Sequence, residues 1–516
     1  MTSTASKSIL IIGAGHNSLV CAATLAKAGH QVTIFEASDR IGGAAITREF
    51  APGFKVSAAA HLLYLLDDGI SKELALESHG LKMAKTGMDT ISLDAGGNHV
   101  RISGPDAHGV SGKDQDAMKE YHRMMNRFAS VIADLHNRIP PRMGTMDRGD
   151  LLSLARLGWN IRKMGKTDMR EFLRIAGINV YDVLQETFDS DLLKGALSLD
   201  GTLGTFLGTR SNNSVFCALH RMSNGANYGL PEGGMGAVTD AMAAAAKAAG
   251  AEIHTSRPVA GVLMDFDRVV GVKLESGEEI EADTVISGAD PRTTYFKLLG
   301  AQHLEAGFAH RVNNIRSKGH VAKLHLALNG LPEFTGLEAA LAGERLLIAP
   351  SLQYVEHAFN HAKYGEYSAQ PTMEITIPSV SDASLAPGGQ HVLSANVQWA
   401  PYELKGGWND SKPAFLEAVI DVLASCAPGI RSQIAHAELL TPQDIESEFR
   451  MTGGHWHHAE LSLDQSVMLR PVPGAAQYAT PVNGLFLCGA GSHPGGGVMG
   501  CAGRNAARVV IGEQAS

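Results

Sequence analysis

Three histidines and a glutamate crowd one short stretch, "GGHWHHAELSLDQ": His455, His457, His458 and Glu460. Two more histidines sit in apolar or glycine-rich surroundings, His61 in "SAAAHLLYLL" and His493 in "SHPGG". Imidazole and carboxylate groups take up or release protons and stabilise developing charge. His61 and His458 are therefore the candidates for catalysis, with a plain structural role the alternative for each. The H-x-H-H spacing could also hold a metal, because alternate residues of a strand share a face. No third ligand follows at a convincing distance, so no metal is expected. No strand-turn-helix nucleophile elbow is present, which leaves hydrolysis unsupported.

Such groups need an element to hold them, and the glycines show which one. The run "SILIIGAGHNSLVCAATLAKAG" from Ser8 to Gly29 reads as an apolar strand, a glycine turn and a helix closing at Gly29. Gly13 permits the tight turn, and Gly15 lets backbone N–H groups approach a pyrophosphate at the helix N-terminus. The third position of the dinucleotide fingerprint is Ser18, whose extra hydroxymethyl group is expected to be absorbed by a small shift. The next strand, "HQVTIFEAS", ends on Glu36, 21 residues after Gly15. An acid there accepts from the ribose hydroxyls and repels a 2′-phosphate. Arg40 followed by Gly42 and Gly43 adds a cation and a second exposed backbone for the same pyrophosphate. A nicotinamide-only fold has no need of that piece, so the combination predicts FAD.

Two later segments look like further parts of the same unit. "LPEGGMGAVTDAMAAAAKAAGAEI" gives a glycine turn and a strong helix former, and "DRVVGVKLESGEEIEA" alternates around turns at Asp267-Arg268 and Ser276-Gly277. "NGLFLCGAGSHPGGGVMGCAGRNAARVVIG" is again strand, glycine loop and helix, with the helix expected from Val498. A helix N-terminus behind bare glycines would stabilise negative charge on a reduced flavin ring. The expected fold is α/β (α+β overall). Residues 1–100, 226–294 and 470–516 form a glutathione-reductase-like Rossmann FAD domain, and residues 101–225 and 295–469 an inserted, mixed substrate domain.

The fingerprint with "EFAPGF" and the closing "HPGGGVMGCAGRNAA" resembles the phytoene desaturase and carotenoid oxidoreductase superfamily of FAD-dependent enzymes. It is most similar to the branch that holds carotenoid ketolases and pyridine nucleotide-disulphide oxidoreductase domain-containing protein 2. The resemblance implies that Gly13, Gly15, Glu36, Arg40, Gly42 and Gly43 hold the ADP half. It implies that Val259, after Pro258, meets the adenine. It places Gly489, Gly491 and the run Pro494 to Val498, Gly497 included, against the flavin, with His61 near the ring. The implied reaction is desaturation or other oxidation of an apolar, isoprenoid-like substrate by hydride transfer to FAD. A flavin oxidase of a small amine or alcohol is the alternative. So is a prenyl-binding protein without flavin chemistry, as in guanine-nucleotide dissociation inhibitors.

The bulk numbers set limits. The chain has 516 residues, 44% hydrophobic, enough for more than one packed unit. Its net charge of −9 argues against a nucleic-acid partner. Five cysteines lack paired spacing and suit a reducing, cytoplasmic compartment rather than dithiol chemistry. The opening "MTSTASKS" is short and polar, unlike a secretory leader. "LLSLARLGWNIRKMGK" (151–166) mixes Leu, Ile and Trp with Arg and Lys, a pattern that packs against the rest of the protein more often than not and that also suits peripheral contact with a membrane. Oxygen, a quinone and a nicotinamide cofactor all stand as electron acceptors.

Overall fold

The computed structural model describes residues 6–142, 144 and 146–512. Strand β1 (Ser8–Ile12) is an apolar run with only Ser8 incompletely buried, the pattern of a strand covered on both faces. It turns through Gly13 (φ +85°) into helix α1 (His16–Lys27). The chain then returns as β2 (Gln31–Phe35), parallel to β1 with Ile9 opposite Val32. Glu252–His254 and Thr284–Ser287 extend the sheet on either side, and Leu485–Leu487 completes it, all pairs parallel. Five short strands from three distant stretches thus form one layer.

Two helices bury the same apolar face. Gly236–Ala248 and Cys501–Ile511 lie with α1 over a core of Ile9, Ile11, Leu19, Ile34 and Ile286, all fully buried. At Gly503 the helices come so close that a Cβ would lie 1.9 Å from the Asn17 carbonyl oxygen, so only glycine fits. The expected helix after the C-terminal glycine loop starts at Cys501 rather than Val498. Val498 (φ +57°) and Gly500 (φ +80°) are left-handed, and such residues interrupt a right-handed helix.

The serine in the fingerprint is accommodated by its partner. Ser18 is buried, with its Oγ 3.6 Å from Cys488 Sγ. A Cβ on Gly288, at the end of the neighbouring strand, would lie 2.1 Å from that Oγ. The space usually left by the third glycine is supplied here by Gly288.

A second, eight-stranded sheet runs in the order Ile434–Leu440, Val321–Leu328, His391–Gln398, Thr372–Thr376, Arg345–Ile348, Thr90–Ser92, Val100–Ser103, Asp106–His108. The expected boundary at residue 100 therefore falls too late. Thr90–Ser92 already pairs in parallel with Arg345–Leu347, because backbone hydrogen bonding continues the second sheet. The antiparallel run Val259–Asp265, Arg268–Leu274, Glu279–Glu281 matches the alternation in the sequence. Its first turn lies at Phe266-Asp267, one residue earlier than expected.

Candidate functional site

The turn after β1 opens a cleft of about 220 Å³ along the C-terminal edge of the parallel sheet. Gly13, Gly15, Ser18, Glu36, Gly42, Gly43, Val259 and Gly489 all line it. Gly15 caps α1 without any side-chain bond, so the first N–H groups of the helix lack internal partners. The Gly42 N–H donates to the Ala14 carbonyl at 2.9 Å, and Gly43 passes so close to Gly15 that a Cβ would touch it at 3.5 Å. Two glycine backbones thus cross at the start of a helix, an arrangement suited to a pyrophosphate. Glu36 is held there by two backbone donors, Ala14 N–H at 2.6 Å and Ser38 N–H at 2.8 Å. Each carboxylate oxygen keeps an acceptor site for a hydroxyl.

Arg40 differs from its neighbours. Its side chain is half exposed, bonds Asp39 at 3.3 Å and lines a separate surface depression, so in this structure it does not reach the cleft. Gly491 and Pro494 also stay outside the cleft lining. Gly491 packs on Pro291, and Pro494 follows a cis peptide bond from His493.

At its inner end the cleft meets a smaller chamber of about 80 Å³, with which it shares His16, Ala44 and Trp456. The chamber is walled by small apolar residues from 44–45 and 59–62, by Gly497 and Val498, and on one side by His61, Arg221, Glu374 and Asn396. His61 lines this chamber. His458 does not: it faces the cleft, while His457 faces the chamber. The left-handed backbone at His458 (φ +60°) sends the two neighbours different ways. His455 instead approaches Glu460, Nε2 to Oε2 at 3.6 Å.

Behind His61 lies a group of buried charges. Glu374 accepts from Arg221, from Arg345 Nε at 2.8 Å and from Asn396 Nδ2 at 3.0 Å, and its Oε2 is 3.1 Å from His61 Nε2. Asp200 is the second carboxylate, bonded to Arg345 and to Arg221 Nε at 3.0 Å. Burial alone would raise the Glu374 carboxyl, but Arg221 and Arg345 hold it well below the usual range. Burial lowers His61 to about 4 against the pull of Glu374, so its imidazole is neutral at pH 7. Lys323 lies beyond, its ammonium pushed well down by burial and donating to Asn396 Oδ1 at 3.1 Å.

A second buried cation holds the C-terminal glycine loop. Arg470, with no exposed surface, donates only to backbone carbonyls: Ala490 at 2.9 Å, His457 at 2.5 Å, and Glu460 and Gln465 at 3.1 Å each. It ties the histidine stretch to the C-terminal glycine loop. Neither Arg470 nor the chamber group of Arg221, Asp200, Arg345, Glu374 and Asn396 was identified from sequence. The available signal was a charge centred in an apolar strand, as in "TMEITIP" and "VAKLHLAL".

Several buried polar atoms on these walls have no protein partner: His16 Nε2, Asn17 Oδ1, Trp456 Nε1 and His458 Nδ1. Such atoms are costly unless a bound group satisfies them. With the glycine crossing, the helix N-terminus and Glu36, they fit an adenine-linked flavin. Fold and site together define an FAD-dependent oxidoreductase. The family model for flavin containing amine oxidoreductases matches residues 182–511, and one for an NAD(P)-binding Rossmann-like domain matches residues 11–74. The chain is 35% identical to rat pyridine nucleotide-disulfide oxidoreductase domain-containing protein 2, covering 97% of this chain and 93% of the rat protein. A lycopene-forming phytoene desaturase from Paracoccus sp. is 24% identical, covering 100% and 99%. The crystal structure of a Methanosarcina mazei oxidoreductase superposes with a TM-score of 0.61 at 18% identity, covering 98% and 99%. The chain belongs to the flavin containing amine oxidoreductase family, within the phytoene desaturase-like superfamily. The disulfide in the rat protein's name has no counterpart in paired thiols here, since all five cysteines are free and buried.

Proposed function

We propose that this enzyme dehydrogenates an apolar, isoprenoid-like substrate. The observation that carries this reading is the chamber: Ala44, Ala45, Ala59 and Ala60 with Leu62, Val498 and the rings of Tyr64 and Trp456 make it largely apolar, and His61, Arg221, Glu374 and Asn396 form one polar side. The name of the Paracoccus relative points to the same substrate class. Bound FAD supplies the hydride acceptor. The chain supplies the rest. Apolar walls exclude water and hold the reacting carbons. Neutral His61 takes up a proton from the carbon next to the one that loses hydride, leaving a double bond. Glu374, 3.1 Å from Nε2, stabilises the imidazolium so formed. Asn396 Nδ2 donates to the same carboxylate oxygen at 3.0 Å and fixes it against the ring.

Anaerobic bleaching of the flavin tests this. Short isoprenoids such as limonene, or phytoene in detergent, are expected to bleach it, and putrescine or benzylamine are not. His61→Ala should keep the flavin spectrum and slow bleaching by about 10²- to 10⁴-fold. Bleaching by amines and not by isoprenoids would reverse the substrate class.

The same substrate class motivates a partner. Helices Arg148–Lys163 and Lys166–Ile175 leave Leu152, Trp159 and Leu173 at least 59% exposed beside Arg156, Arg162 and Lys163. No helix among the described residues is long and apolar enough to cross a membrane. A basic, apolar face of this kind suits shallow insertion between anionic lipid headgroups. Flotation with phosphatidylglycerol vesicles is expected to carry the protein, and L152D/W159D to lose most of that binding. Equal flotation of both would remove the membrane from the account.

A further inference from the structure

With the dinucleotide cleft filled, a substrate needs a route of its own to the chamber, and we propose that Tyr64 is the moving leaf of a gate on that route. A surface groove of about 540 Å³ lies outside the chamber, bounded by residues 63–71, 77–86 and 224–229. Tyr64 belongs to both walls, and its ring stands 5.4 Å from that of Tyr228, which also lines the groove. Another large groove, around Phe206 and His320, shares no residue with the chamber.

The two tyrosines are held very differently. The Tyr228 hydroxyl accepts from Arg221 Nε at 3.2 Å and lies 3.3 Å from Asp200 Oδ1. Its ring is also covered by the Arg345 guanidinium at 4.3 Å. Tyr64 has one long bond, from Arg221 at 3.4 Å, and a guanidinium face at 4.6 Å. Its backbone is fixed, because Leu63 and Gly229 exchange N–H to carbonyl bonds of 3.0 and 2.9 Å. The Tyr64 side chain is thus held by fewer polar bonds than Tyr228, and Tyr228 with Arg221 forms the post it closes against. Arg221 joins the gate to Glu374 and so to His61. The size of molecule that reaches the chamber is then set at position 64.

The gate rests on the chamber being the reaction site but not on the substrate class, and it is tested without substrate. Photoreduced holoenzyme is mixed with menadione or with dioxygen, and the ratio of the two reoxidation rates is read. Tyr64→Ala is expected to raise the menadione-to-oxygen ratio at least about threefold and Tyr64→Trp to lower it by a similar factor. Because the native cysteines are buried, N227C can be labelled selectively in the groove with a bulky maleimide, which should lower the ratio in otherwise unaltered protein. The same label on N314C, in the groove near Phe206, should leave it unchanged. A ratio unmoved by both Tyr64 variants and by the N227C label, or one that responds to N314C instead, overturns the gate. Failure of the substrate class would show only in the bleaching experiment.

Discussion

Lowering the pH from 7 to 5 is expected to destabilise the folded chain steeply, while most carboxylates are still ionised. Six of the eight histidines buried among the described residues set this response: His61, His136, His220, His325, His457 and His493. Burial lowers every one of them, to about 4 for His61, His220 and His493 and well below the ordinary value for the others. In the unfolded chain each titrates near 6.5. Between that value and the folded one, the unfolded state binds more protons, so stability falls as pH falls. The stabilisation is complete above about 6.5 and drains away toward 4. Each histidine contributes a slope of up to about 1.4 kcal/mol per pH unit. Six together are comparable with the whole stability of a domain, about 5–15 kcal/mol. Glu374 acts in the other window: its depressed carboxyl stabilises above the unfolded carboxylate range near 4.3 and is lost only below it. Denaturant midpoints of the holoenzyme at pH 7, 6 and 5 measure this. H136F/H220F should flatten the dependence, and a midpoint constant over that range would show that the rings are solvated.

Glu374→Leu is expected to cost about 3–5 kcal/mol of stability, as removal of one partner from a buried ion pair does. The carboxylate sits 1% exposed between Arg221 and Arg345, themselves 7% and 1% exposed. Its loss leaves two guanidinium groups sharing Asp200 alone, and leaves His61 Nε2 without its acidic neighbour. FAD content should persist, because none of these residues lines the dinucleotide cleft. Denaturant unfolding with flavin quantitation separates the two effects. E374L/R345M should cost less than the sum of the single changes, since the partners are coupled. A loss under about 1 kcal/mol in E374L would mean that water reaches the pair.

Much of the dinucleotide site was legible because it is local. Gly13, Gly15 and Glu36 lie within one β-α-β unit, where spacing alone fixes geometry. The C-terminal loop could be placed against the flavin only through the resemblance, since no local rule brings residue 497 beside residue 61. The charged wall escaped notice for a related reason. Arg221 comes from a helix, Arg345 and Glu374 from two strands, and Asp200 from the end of another helix. Their meeting depends on the register of an eight-stranded sheet, which spacing does not reveal. Arg40 shows what spacing leaves open: the residue type fits the motif position, while the side chain pairs with Asp39 next door.

The exchange between Ser18 and Gly288 reaches beyond this one turn. What the helix and the sheet require is an absence of atoms at their crossing, and either chain segment can provide it. A side chain gained at 18 commits position 288, 270 residues away, to remain bare. Whether a glycine fingerprint counts as intact is therefore decided at the contact between the two segments, and reading one of them by itself will reject proteins that satisfy it.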